Sequence, residues 1–167
     1  EIAGGLEFHY MPCQFGNRRY IGTAYMITQI GLFHMNPQTE FNGALVDLQS
    51  LGTEGQNKEG GTKPYGKYQL CVPLGLGVKF SLGKFCSFNL DIAIRKTFTD
   101  YIDDIGADTY MSPESLDAIN GADAVALSNR SINGSFQGRR GDSSNKDWYV
   151  YAGGMLTFRL GKGNNCP

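Results

Sequence analysis

The sequence predicts an all-β protein, an antiparallel transmembrane β-barrel, on three observations. Apolar residues fall at every second position through several long stretches, the connections between those stretches alternate between short and long, and the composition is rich in glycine and aromatic residues without a long apolar run. Twenty-three Gly, nine Tyr and ten Phe among 167 residues suit strands whose backbones approach closely and whose ends carry interfacial rings. A barrel meets lipid only with alternate residues, so a mean hydropathy of -0.29 and a hydrophobic share of 41% are compatible with one. The lack of any run of about 18 apolar residues excludes a transmembrane helix.

The first element follows from Glu1 to Pro12, where Ile2, Gly4, Leu6, Phe8 and Tyr10 alternate with Glu1, Ala3, Gly5, Glu7 and His9. A second candidate, Arg19 to Met35, is apolar on both faces, which leaves its register open. From Tyr68 to Leu82 the alternation is cleanest, with Leu70, Val72, Leu74, Leu76, Val78 and Phe80 against Gln69, Cys71, Pro73, Gly75, Gly77 and Lys79. A tight turn at Leu82-Gly83-Lys84 leads into Phe88, Leu90, Ile92, Ile94 and Phe98, forming a β-hairpin. The last strand spans Trp148 to Leu160. Tyr10, Tyr68, Tyr101 and Trp148 fit interfacial girdles.

Period two alone does not separate a membrane barrel from a soluble sandwich or a lipocalin-like barrel, in which the oily face points inward. The connections favour the membrane form. Met11 to Arg18 and Leu82 to Lys84 are short, as periplasmic turns are, whereas Asn36 to Lys67 and Asp100 to Lys146 are long and polar, as extracellular loops are. Ser112-Pro113-Glu114 predicts a helix start in the second long loop, continuing as one or two short helices over Leu116 to Leu127. Five strands fall short of the eight of the smallest bacterial barrels, so about three more are expected before Glu1, within one barrel domain that covers 1–167.

On the polar face, Glu7, Asp91 and Asn89 are expected to meet Lys79, Arg95 and Arg159 across neighbouring strands and fill the lumen. Catalysis is not expected: a carboxylate pair lacks the further groups an acid–base site needs, and no histidine is placed to serve a nucleophile. His9 and His34 have no metal-ligand spacing, so no metal and no cofactor are expected. Gly75-Leu76-Gly77 lies inside a strand and not at a strand-to-helix turn, which removes it as a nucleotide loop. Net charge is -1 with Lys and Arg scattered, so nucleic acid is not an expected partner. Cys13, Cys86 and Cys166 gather at the short-turn end, where the periplasm would be, and are candidates for a disulfide. Arg140-Gly141-Asp142 matches a tripeptide that integrins read, and together with the long loops it is the only support for an adhesin.

Leu51-Gly52-Thr53-Glu54-Gly55, Pro73 to Lys79, Arg95-Lys96-Thr97-Phe98-Thr99-Asp100-Tyr101, Leu127 to Ser131 and Asp147-Trp148-Tyr149 resemble, in order along most of the chain, the PorG-type outer-membrane proteins of Bacteroidetes. The resemblance implies an eight-stranded barrel of the type IX (Por) secretion system in the outer membrane. It would be a structural anchor associated with the PorK lipoprotein and the PorN ring protein, and in reach of the translocon. On that footing Gln14, Asn17, Arg18, Gly83 and Lys84, in the short turns, are the expected contacts with the ring. A small porin or an adhesin-like barrel is the alternative function.

Overall fold

The computed structural model describes residues 1–13, 19, 21–56 and 63–160, and the chain divides into two compact units. The sheet unit comprises Glu1–Phe33, Leu70–Thr97 and Trp148–Pro167; the loop unit comprises His34–Gln69 and Phe98–Asp147.

Five strands form the sheet: β1 (Ile2–His9), β2 (Gly22–His34), β5 (Tyr68–Ser81), β6 (Cys86–Thr97) and β7 (Trp148–Phe158). They lie in the order β1-β2-β5-β6-β7, with antiparallel neighbours along β1–β2 and β5–β6–β7, and among the described residues β1 and β7 are its two edges. The register aligns rows across the strands: Phe8 opposite Met26, Leu76 opposite Ile92, and Ile92 opposite Ala152. The fold class is thus mostly antiparallel β with short helices, and no described helix is long and apolar enough to cross a membrane.

The sheet is curled. Glu1 Oε2 lies 2.9 Å from Arg95 Nε and accepts a 2.8 Å hydrogen bond from the Tyr149 hydroxyl. Strands about 4.8 Å apart would set β1 and β7 about 19 Å apart if the sheet were flat, beyond the joint reach of a Glu and a Tyr. The concave face is polar and packed, with Lys79 2% exposed, Asn89 1%, and Ser87 and Thr97 0%. The convex face is apolar and open: Leu6 is 61% exposed, Leu76 63%, Ile92 55% and Val150 53%. This is the reverse of a lipocalin-like barrel or a soluble sandwich.

The ambiguous register of β2 is resolved by this curl. Tyr25 and Phe33 point to the concave side and are buried, while Met26, Ile30 and Leu32 join the convex band. Both faces read as apolar because the concave side of β2 carries aromatic rings: the centre of the Tyr25 ring lies 5.1 Å from Lys79 Nζ, and Phe33 packs edge-on against Tyr149 with ring centres 5.9 Å apart.

The loop unit holds elements that the sequence reading leaves as loop. β3 (Gln38–Phe41) and β4 (Ala44–Asp47) form a hairpin closed by Asn42 and Gly43, whose φ values of 52° and 78° are those of a type I′ turn. The short helix α1 (Leu48–Leu51) ends at Gly52, whose N–H returns to the Leu48 carbonyl at 2.9 Å. The helix expected at Ser112-Pro113-Glu114 is α2 (Pro113–Asn120), with the Ser112 hydroxyl accepting from the Ser115 N–H; α3 (Ala122–Ser128) follows after Gly121. Leu116 and Ala124 are fully buried between them. Tyr101, expected at an interfacial girdle, is instead half-buried in this unit, stacked on Tyr65 with ring centres 4.4 Å apart. The two units differ in charge: the loop unit carries thirteen carboxylates against seven Lys and Arg, the sheet unit three against eight.

Candidate functional site: the polar concave face and the buried ion pair of the loop unit

Two polar clusters occupy the concave face. In the first, Lys79 from β5 forms a 3.1 Å ion pair with Glu7 from β1, and Glu7 also meets His9 at 3.2 Å. His9 stacks on Tyr25 at 5.5 Å, and the Tyr25 hydroxyl donates to Asp91. In the second, Arg95 is held by Glu1 and lies over the rings of Tyr151 and Tyr149, at 4.5 and 5.7 Å. The expected residues Glu7, Lys79, Asp91 and Arg95 therefore all face the concave side, but their partners differ in part from those expected. Arg95 pairs with Glu1, and Asp91 takes a proton donor from Tyr25. Arg159 lies beyond β7 and stacks on Phe85 at 5.4 Å. Glu1, Tyr25 and Tyr149 are the residues that sequence reasoning missed; their roles depend on the curl, which alternation does not encode.

Gly77 makes room for the first cluster. A Cβ there would stand 2.4 Å from Asp91 Oδ1 and 2.5 Å from Tyr25 Cζ, so the side chains must part to admit even a methyl. Gly77→Ala is expected to destabilise the sheet by about 1–3 kcal/mol, whereas Gly4→Ala, where nothing lies within 4 Å of the added carbon, is expected to be neutral. Denaturant midpoints of the two variants, read by Trp148 fluorescence, check this; equal midpoints would refute it.

At the short-turn end, Lys84 is exposed and Gly83 half-buried, with the Leu82 N–H bonded to the Cys86 carbonyl at 2.9 Å. Gln14, Asn17, Arg18 and Cys166 lie outside the described residues. Cys13 is disulfide-bonded, whereas Cys71 and Cys86 are free thiols, so Cys86 leaves the set of disulfide candidates.

The loop unit is organised around a buried ion pair. Arg140 Nε meets Glu54 Oε1 at 2.8 Å, and both side chains are 5% exposed. The remaining guanidinium donors reach the Ser128 carbonyl, the Thr53 hydroxyl at 3.4 Å and the Asp104 carbonyl at 3.5 Å. Glu54 Oε1 also accepts the N–H groups of Gly106 and Ala107, at 3.0 and 3.1 Å. Arg140 thus ties the first long connection to the second. Within Arg140-Gly141-Asp142 the guanidinium is therefore buried and committed to Glu54, while the Asp142 side chain stays 52% exposed.

Beside this pair, Asp104 accepts hydrogen bonds from the Tyr65 hydroxyl at 2.6 Å and from Thr53. Burial lifts its carboxyl above the ordinary 3.8, with the Glu54 charge acting the same way; the Thr53 and Tyr65 hydroxyls and Arg140 pull against it. Burial raises Asp100 as well, opposed by Lys146. A raised carboxyl means that the folded unit binds more protons than the unfolded chain just above pH 3.8, so stability falls as pH rises through the folded pKa. Asp47, Asp108 and Asp142 are held low by hydrogen bonds from Gln38, Ser143 and Ser144, and their losses come only at more acid pH. The denaturant midpoint of the loop unit is expected to fall as pH rises from 3.8 through the folded pKa of Asp104, and Asp104→Asn to flatten that fall. An unchanged slope in the variant would remove Asp104 as its cause.

No metal-binding group of side chains occurs among the described residues. No family model matches the chain, and no curated protein or solved structure matches it either.

Proposed function

We propose that this chain forms part of a β-barrel wall in a bacterial outer membrane, and that the barrel is a structural, non-catalytic component of the type IX secretion machine. The observation that carries the membrane part is the exposed apolar band of the convex face, running over all five strands from Phe80 and Phe158 to Tyr68 and Trp148. Soluble monomers rarely expose contiguous apolar patches larger than a few hundred Å², because each Å² costs about 25 cal/mol in water. Lipid removes that cost.

The dimensions agree with a bilayer. The eleven residues of β7 extend about 33 Å, and a tilt of about 40° reduces this to about 25 Å, the height of an outer-membrane apolar band. Lys96, on the convex side of β6 opposite Trp148, stands at the band's border, where a long cationic side chain can reach the headgroups. The acidic loop unit suits water.

The secretion role rests on the resemblance of five sequence segments to PorG-type proteins, of which Arg95 to Tyr101 is the most specific. In this reading the short-turn end, with Lys84 and Gly83 together with Gln14, Asn17 and Arg18, meets a PorK-like lipoprotein and a PorN-like ring protein. The test is a pull-down from detergent-solubilised outer membranes with mass spectrometry of what co-purifies. Ring or translocon proteins are expected, and joint replacement of Gln14, Asn17 and Arg18 by Ala is expected to reduce their recovery. A barrel recovered alone would overturn the secretion role and leave the membrane part standing.

A further inference from the structure

The loop unit contains a cleft of about 500 Å³, within the range of small-molecule sites. Pro37, Leu48, Ile102, Ile105, Tyr110 and Leu127 give it apolar walls, and Leu127 is buried. Its rim is charged. Arg130 and Asp103 both line the cleft and both are exposed, yet among the described residues neither is ion-paired with the other or with any third group. Arg130 is held in place by a hydrogen bond to the Thr39 hydroxyl, and Asp103 by the Ile105 N–H at 3.1 Å.

Two opposite, exposed charges that line one largely apolar cleft without pairing with each other define a complementary ligand. We infer that the cleft binds a small apolar zwitterion, the chemistry of an α-amino acid with an apolar side chain. Its carboxylate lies on the Arg130 guanidinium, which offers a planar fork to carboxylates; its ammonium lies on Asp103, and its side chain enters between Leu48, Ile105 and Leu127. Arg140, which also lines the cleft, is committed to Glu54 and serves as wall. The inference stands on the loop unit alone and does not depend on the secretion role.

The experiment is saturation-transfer NMR on the intact purified protein with phenylalanine, alongside N-acetylphenylalanine and phenylalanine amide, each at up to about 10 mM. Phenylalanine is expected to bind, and each blocked analogue to bind at least about tenfold more weakly, since each leaves one rim charge unanswered. Arg130→Gln and Asp103→Asn, both at exposed side chains that leave the fold intact, are expected to weaken phenylalanine by a similar factor. Absence of transfer from phenylalanine would overturn the inference. So would equal binding of the three compounds, or binding unchanged in both variants.

Discussion

Leu76→Arg is expected to lower the equilibrium constant for folding into lipid vesicles by roughly 30- to 700-fold, the effect of about 2–4 kcal/mol for an arginine at the bilayer midplane of a barrel. Leu45→Arg is expected to change it by less than about 0.5 kcal/mol. The comparison is sharp because the folded chain in water would predict the opposite order or none: Leu45, in the β3–β4 hairpin, is 73% exposed, and Leu76 is 63% exposed. Only the solvent distinguishes them. Leu76 lies opposite Ile92, midway along β6, so it falls near the centre of the band, whereas Leu45 belongs to the loop unit. The measurement is refolding from urea into phosphatidylcholine vesicles, with the single Trp148 reporting the folded state. If Leu76→Arg refolds as well as the parent, the convex face meets water or another protein, and the barrel reading falls.

Arg140→Met should unfold the loop unit or cost it about 3–5 kcal/mol, because it leaves the Glu54 carboxylate buried without its counter-charge. The size of this effect comes less from the pair's attraction than from the desolvated charge left behind. Removing both charges, in Glu54→Gln with Arg140→Met, is therefore expected to restore part of the loss. Arg140→Lys should recover little, since one ammonium cannot reach Glu54, the Ser128 carbonyl and Thr53 together. Proteolysis of the 34–69 and 98–147 segments within the intact protein reads the result. A single substitution no more damaging than the double would show that the pair is solvated.

The strands were legible because a half-buried strand imposes period two on its own residues, and four of the five carry that period with little interruption. The β2 register was not, since Tyr25 and Phe33 on its polar side are as apolar by letter as Met26 and Ile30 on the other. The β3–β4 hairpin had a readable signal in Asn42-Gly43, obscured by the short strands on either side. The Ser112 helix start was legible because capping is a local event. Contacts such as Glu1 with Arg95, or Glu54 with Arg140, join residues 94 and 86 apart in the chain and depend on curvature and burial, which local pattern does not carry. The cationic residues of the concave face were identified by their side of the strand, while their partners came from strands not adjacent to their own.

The two edges of the sheet have a consequence for any bilayer that receives it. Every peptide group in hydrocarbon must find a hydrogen-bond partner, because each one left bare costs several kcal/mol. Along β1 and β7 one side of the backbone has no neighbouring strand among those described, over eight residues on one edge and eleven on the other. A membrane-spanning form must therefore pair both edges with further β structure. Five strands would then be an arc of the wall, and its circumference would be set by what zips onto Ile2–His9 and Trp148–Phe158.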